Sequence, residues 1–294
     1  MREVQLVDNF LSEEQIQECQ AKFNLTYHVP YASVCQRMLG FKGKDVLEVG
    51  GSLPEQFVFE YLHVNSWSAI ETPDYAESLR EVGGITHLGT RLSEVNDISE
   101  YSYQQNSDSR YKLYLENIED LPVFLYEKYD LIFSIAAFEH ISKFPAALRK
   151  MYYALKPGGK LFSMFSPIWS AFNGHHLPEI VDKSGSRFEF NRSPIPPWGH
   201  LLMRPAQMCQ YLYQHTDEET ADLMVYYIYQ SPHINRLFTE DYVQFFNQSR
   251  FAIERLELTF PVNPDSETQA QLENAFPGRK WFGNNGILVC LSKS

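Results

Sequence analysis

Asp45-Val-Leu-Glu-Val-Gly-Gly51 is the stretch that decides the fold. A short apolar run stops at two glycines, which describes a buried parallel strand followed by a tight turn. Downstream, residues 54–62 continue as a helix, Ser66–Glu71 as a strand and residues 74–82 as a helix. The stretch 83–110 holds a short strand over 85–88 and then a polar run, read as an extended connection. Residues 111–116 and Tyr129–Ile135 follow as strands. A helix over 146–155 is ended by Pro157-Gly158-Gly159, and residues 160–165 form a further strand. Strands alternating with helices over this length mean βαβ units and a parallel sheet covered on both faces.

Upstream, Ser12-Glu13-Glu14-Gln15 is a capping box that starts a helix running to Phe23. A second helix begins near Pro30 and ends at Gly40. Beyond Pro167 the alternation stops. Residues 167–237 cluster Pro, Trp, His and Gly around one helix-like stretch, 204–215, and are too long for a plain connection. Thr239–Gln248 reads as a helix, and residues 251–260 and 286–291 as closing strands.

Composition narrows the function classes. The 294 residues carry 25 basic and 37 acidic side chains, a net charge of −12, so nucleic acid and anionic membranes repel the chain. Hydrophobic residues at 44% can fill a core, and aromatics at 15% suit either a Tyr- and Phe-rich core or an aromatic pocket for an organic ligand. Four widely spaced cysteines fit no metal or redox motif and read as reduced thiols of a cytoplasmic protein. No secretory signal and no membrane span are expected.

A parallel sheet binds its ligand beyond the carboxyl ends of its strands. The turn Gly50-Gly51-Ser52-Leu53-Pro54 lacks the third glycine of a dinucleotide fingerprint, and no P-loop Lys-Ser/Thr follows. A ligand with a ribose and a cationic group, without phosphates, suits these strand ends better.

With DVLEVGG (45–51), AIE (69–71), LENIEDLP (115–122), YDLIFSIAAFEHI (129–141) and ALKPGGKLF (154–162) in this order, the sequence resembles class I S-adenosylmethionine-dependent methyltransferases. The resemblance implies a Rossmann-like, doubly wound, mostly parallel seven-stranded sheet. It implies a core over 41–166 that binds S-adenosyl-L-methionine, completed by residues 238–294. An N-terminal helical lid segment (1–40) and a lid insertion after strand five (167–237) would form the acceptor pocket. By the same resemblance, Gly50 and Gly51 let backbone approach the cofactor, and Glu48 sits below the turn. Glu71 holds both ribose hydroxyls, a charge-assisted contact of roughly 1.5–3 kcal/mol. Asn117 and Ile118 flank the adenine, and Ser134 and Ala136 line the route to the methyl group.

Methyl transfer to a hydroxyl gains from a base, and His140, His175, His176 and His200 are the candidates. All four follow strand ends or stand in the insertion, and a base of this type would show the ordinary histidine value, ~6–7. Trp169 and Trp198 would wall the acceptor. Histidines with Glu139 or Asp182 could also satisfy a divalent ion. Adjacent histidines rarely point the same way, however, and no spaced ligand motif exists, so no metal is expected. The leading expectation is an O-methyltransferase acting on a small molecule of specialised metabolism. A nitrogen, carbon or carboxylate acceptor, on a small molecule or peptide, is the alternative within the fold. A cofactor-binding pseudoenzyme acting through partners is the alternative outside enzymes.

Overall fold

The computed structural model describes residues 11–51, 53–76 and 110–294. Of the helix expected over 74–82, residues 73–76 are helical and the remainder lies outside the described residues, as does the strand expected over 85–88. The first ten residues and Ser52 also lie outside them.

Helix α1 (Glu13–Phe23) starts at the expected box: Gln15 N donates to Ser12 Oγ, and Ser12 N donates to Gln15 Oε1 at 2.9 Å. Helix α2 (His28–Met38) starts two residues before Pro30, which sits in its first turn. Then come β1 (Asp45–Val49), α3 (Glu55–Glu60), β2 (Ser66–Glu71), β3 (Tyr111–Leu115), β4 (Tyr129–Ile135) and α4 (Phe144–Ala154). β5 (Leu155–Phe165) begins immediately after α4, five residues earlier than expected. The reason is that Pro157-Gly158-Gly159 does not break the strand. Gly158 N donates to Lys293 O and Lys293 N donates to Gly159 O, so the glycines pair with the chain's C-terminal end.

Residues 167–237 contain a small hairpin, β6 (Ile180–Val181) and β7 (Arg187–Phe188), and helices α5 (Gly199–Leu202), α6 (Pro205–Leu212) and α7 (Glu218–Tyr229). Helix α8 (Thr239–Gln248), β8 (Ala252–Pro261), α9 (Ser266–Ala275) and β9 (Asn284–Ser292) complete the chain. The sequence reading lacked α7 and α9. Each is announced by an aspartate N-cap, Asp217 to Thr220 N and Asp265 to Thr268 N.

The seven strands form one sheet in the order β3-β2-β1-β4-β5-β9-β8. β1 to β5 are parallel, and β9 runs antiparallel to both β5 and β8. One face is covered by the N-terminal segment, where Cys19, Val29, Ala32 and Cys35 pack with Val46, Trp67 and Phe133. The other face is covered by α4 and α8, through Phe144, Leu148, Tyr242 and Phe246. A third apolar cluster lies in the insertion and its C-terminal neighbours, from Trp169 and Trp198 to Met224, Leu272 and Phe282. The insertion therefore has a core of its own. The N-terminal helices, by contrast, share the core of the sheet.

Candidate active site

Strand order reverses between β1 and β4, the position where open α/β sheets bind ligands. The two strand ends are locked together there. Gly50 has φ +73°, and a Cβ on it would fall 2.2 Å from Ala137 Cβ; one on Gly51 would fall 2.6 Å from Glu48 Oε1. Ala136 is itself left-handed at φ +51°, a conformation that costs a non-glycine residue of order 1–3 kcal/mol. Its N–H donates to Met164 O at 2.9 Å. Ser134 is fully buried, and its hydroxyl donates to Val49 O at 2.8 Å. Ser134 thus braces β4 against β1 at the place where it was expected to line a route to the methyl group.

Two buried carboxylates stand at this edge. Glu48 lies under the turn, where Oε2 accepts from Leu53 N and from Trp67 Nε1, both at 2.8 Å. Glu71 ends β2, and among the described residues only Thr72, next in the chain, donates to it. Burial raises both acids to about 7. A carboxylate offers about four lone-pair sites, so Glu71 retains the capacity to accept two hydroxyls at once. Glu116 N donates to Glu71 O, bringing the end of β3 alongside. Asn117 and Ile118 follow on that side, Ile118 buried at the start of a 3-10 turn.

The turn after β4 carries Glu139 and His140. Glu139 is fully buried, and among the described residues neither carboxylate oxygen has a well-formed hydrogen bond. Burial raises it to about 8, partly opposed by the backbone N–H groups of Glu139 and Ser166. Partial burial and then the nearby Glu139 push the Tyr27 phenol up to about 12. The start of α2 therefore reaches this edge.

The four candidate histidines do not share one pocket. His175 and His200 pair inside the insertion, rings 5.7 Å apart, each 2% exposed. His200 Nε2 donates to Trp169 O at 2.8 Å, and His175 Nδ1 accepts from Leu177 N. Trp198 belongs to the same packing, its Nε1 donating to the Ser170 and Phe282 carbonyls. His140 and His176 meet elsewhere, with ring centroids 4.7 Å apart, and His233 joins them. Burial holds His140 and His200 at about 4 and His175 at about 3, and holds His176 well below the usual value. This corrects the expected ~6–7: each is a neutral imidazole at neutral pH.

His233 and Asn235 escaped the sequence reading. Asn235 Nδ2 donates to the Phe138 and Ile141 carbonyls, and its N–H donates to Glu139 O. No short motif joins residue 235 to residue 138, so only the fold reveals the link.

Residues 74–163 match the family model described as a methyltransferase domain. With this sheet order and strand-end site, the match supports an S-adenosylmethionine-dependent methyltransferase of the class I fold, with S-adenosyl-L-methionine as the cofactor. No curated protein matches the chain. Among solved structures it is similar to an S-adenosylmethionine-dependent methyltransferase from Mesorhizobium loti, at 13% identity, 92% of this chain, 99% of that one and TM-score 0.47. It is also similar to phosphoethanolamine N-methyltransferase 2 of Haemonchus contortus in complex with S-adenosyl-L-methionine, at 14% identity, 96% of this chain, 57% of that one and TM-score 0.46. A third is the [4+2]-cyclase SpnF, at 14% identity, 89% and 79% coverage and TM-score 0.43. Among the described residues, no helix is long and apolar enough to cross a membrane.

Proposed function

We propose that this methyltransferase acts on a hydroxyl of a small organic acceptor, held between the carboxyl edge of the sheet and residues 167–237. The observation that carries the reading is the contact of His140, from the turn after β4, with His176 of the insertion. It brings the insertion back over the strand ends where the cofactor binds, which suits an enclosed acceptor better than an open groove for a polymer. The net charge of −12 speaks against nucleic acid, and four free cysteines fit the cytoplasm.

In this reading Glu71 accepts from both ribose hydroxyls, and Asn117 and Ile118 flank the adenine. Gly50 and Gly51 let backbone approach, with Glu48 holding the turn from below and Ala136 at the methyl end. Trp169 and Trp198 shape the pocket from within the insertion core. The bound cofactor supplies a methyl group on a sulfonium, and transfer is an in-line displacement in which the chain contributes alignment and exclusion of water. His140 is the proton acceptor. Its Nδ1 hydrogen-bonds the His233 carbonyl, which can only accept, so the proton sits on Nδ1 and Nε2 keeps its lone pair.

The test compares alanine variants at saturating cofactor. His140→Ala lowers turnover by ~10²-fold or more with cofactor affinity kept, whereas His175→Ala and His200→Ala change turnover per folded molecule by less than about threefold. Equal, small effects at His140, His175, His176 and His200 would favour a carboxylate or an already ionised acceptor.

A further inference from the structure

We propose that His140, His176 and His233 form a binding site for one divalent late first-row transition metal, of the zinc class. One ring nitrogen from each lies within 4.8 Å of the others. The three come from distant parts of the chain: the turn after β4, the start of the insertion and the segment leading into α8. A tetrahedral ion held ~2.0–2.1 Å from each nitrogen sets the nitrogens ~3.3 Å apart. Closing the set therefore takes side-chain movement of at most ~1.5 Å, within the reach of small torsion changes.

Two further observations favour a ligand set over three stacked rings. Nδ1 of His140 meets the His233 carbonyl, and Nδ1 of His176 meets the Pro167 carbonyl at 3.4 Å. A carbonyl cannot donate, so each Nδ1 carries its proton and each Nε2 presents a lone pair; metal-ligating histidines are oriented by this same kind of outer bond. The backbone under two of the ligands is fixed. Asn235 bonds the turn containing His140 from a position two residues past His233, and Tyr242 Oη donates to Asn235 Oδ1 at 2.9 Å.

The donor set names the class. Imidazole nitrogen suits Zn²⁺, Co²⁺, Ni²⁺ and Cu²⁺, whereas Mg²⁺ and Ca²⁺ want oxygen. Three protein ligands leave a fourth position for water or another oxygen ligand. A ligated His140 could not take a proton; the ion would acidify the oxygen bound to it instead. The site itself does not depend on the identity of the methyl acceptor.

The experiment is titration of the whole metal-free protein with Zn²⁺ by calorimetry, without cofactor or acceptor. One ion per chain is expected, with a dissociation constant in the micromolar range or tighter and a rise in melting temperature. His140→Ala, His176→Ala and His233→Ala each weaken binding ~100-fold or more. His215→Ala, at an exposed histidine, and Cys209→Ser, at the one thiol that is not buried, leave it within about threefold. Should an alanine variant fail to fold, as judged by circular dichroism, the corresponding Gln variant replaces it. Absence of stoichiometric Zn²⁺ binding to the wild type overturns the proposal. Binding that survives His140→Ala/His233→Ala, or equal affinity for Mg²⁺, overturns it as well. In any of those outcomes His140 remains free to act as a base; the expected outcome instead takes the base role from His140 and leaves the hydroxyl acceptor of the proposed function to be tested by turnover.

Discussion

β1 and β2 lie side by side, and each brings one buried carboxylate to the carboxyl edge of the sheet, with opposite results. Glu48 is spent on the protein itself: Leu53 N and Trp67 Nε1 both donate to it, and the Gly51 turn packs against its other oxygen. Glu71 accepts only from Thr72 among the described residues. Both are raised to about 7 by burial, so perturbation alone does not tell them apart. What separates them is where the donors come from: Leu53 and Trp67 tie Glu48 to other parts of the chain, whereas both donors to Glu71 belong to the next residue, Thr72. An acid that joins separate segments reads as architecture, and one bonded only to its chain neighbour at a switch point is the better candidate for a ligand contact.

The largest expected effect tests the architectural side. Glu48→Ala strands the Leu53 N–H and the Trp67 indole N–H, each costing ~1–3 kcal/mol when buried without a partner. Relief of the buried acid offsets part of this. We expect a net loss of ~2–4 kcal/mol of stability, read as a lower denaturation midpoint with unchanged m. Glu48→Gln keeps an acceptor oxygen and stays within about 1 kcal/mol of wild type. If both variants bind S-adenosylmethionine poorly while melting normally, Glu48 is a ligand contact and the comparison collapses.

Glu71→Ala is expected to do the reverse. Cofactor affinity falls ~10–100-fold, matching a lost charge-assisted pair of hydrogen bonds, while the melting temperature of the free protein holds or rises. It rises because a buried acid with few partners is a burden to the empty fold. Calorimetry with S-adenosylmethionine decides the first point and a thermal melt the second.

How far these roles were readable before folding depends on the kind of information each uses. DVLEVGG places Glu48, Gly50 and Gly51 within four residues, and the apolar period with its glycine stop is local, so β1 and its turn were legible. The same holds for β2, β4 and the Ser12 box. What was not legible is how each polar group is spent. Glu48 finds Trp67 nineteen residues away, and Ser134 finds Val49 across eighty-five. The insertion shows the limit most clearly. His175 and His176 are neighbours in sequence, yet one turns into the insertion core and the other toward His140. His176 sits at φ +48°, a left-handed residue that reverses the direction of the chain at this point. Histidine content singled out the segment, while the partition into two groups required the long-range contacts of His200 and His233.

The smallest expected effect is the pH dependence of cofactor affinity. In the free protein Glu71 is raised to about 7, with burial the leading cause. In the role proposed for Glu71, two ribose hydroxyls donating to it favour the ionised form, so binding lowers its pKa and releases a proton. Affinity therefore rises with pH through about 7 and levels off above it. Between pH 8 and pH 6 the ionised fraction of a group at this value falls to about a tenth, so affinity at pH 6 is weaker by ~10-fold. The amino group of the ligand titrates near ~8, so the quantity to read is the wild-type profile minus that of Glu71→Gln. Glu48 is raised to the same degree, but its partners are the same before and after binding, and Glu48→Gln should leave the slope unchanged. A slope that survives Glu71→Gln and disappears in Glu48→Gln would exchange the roles of the two strands.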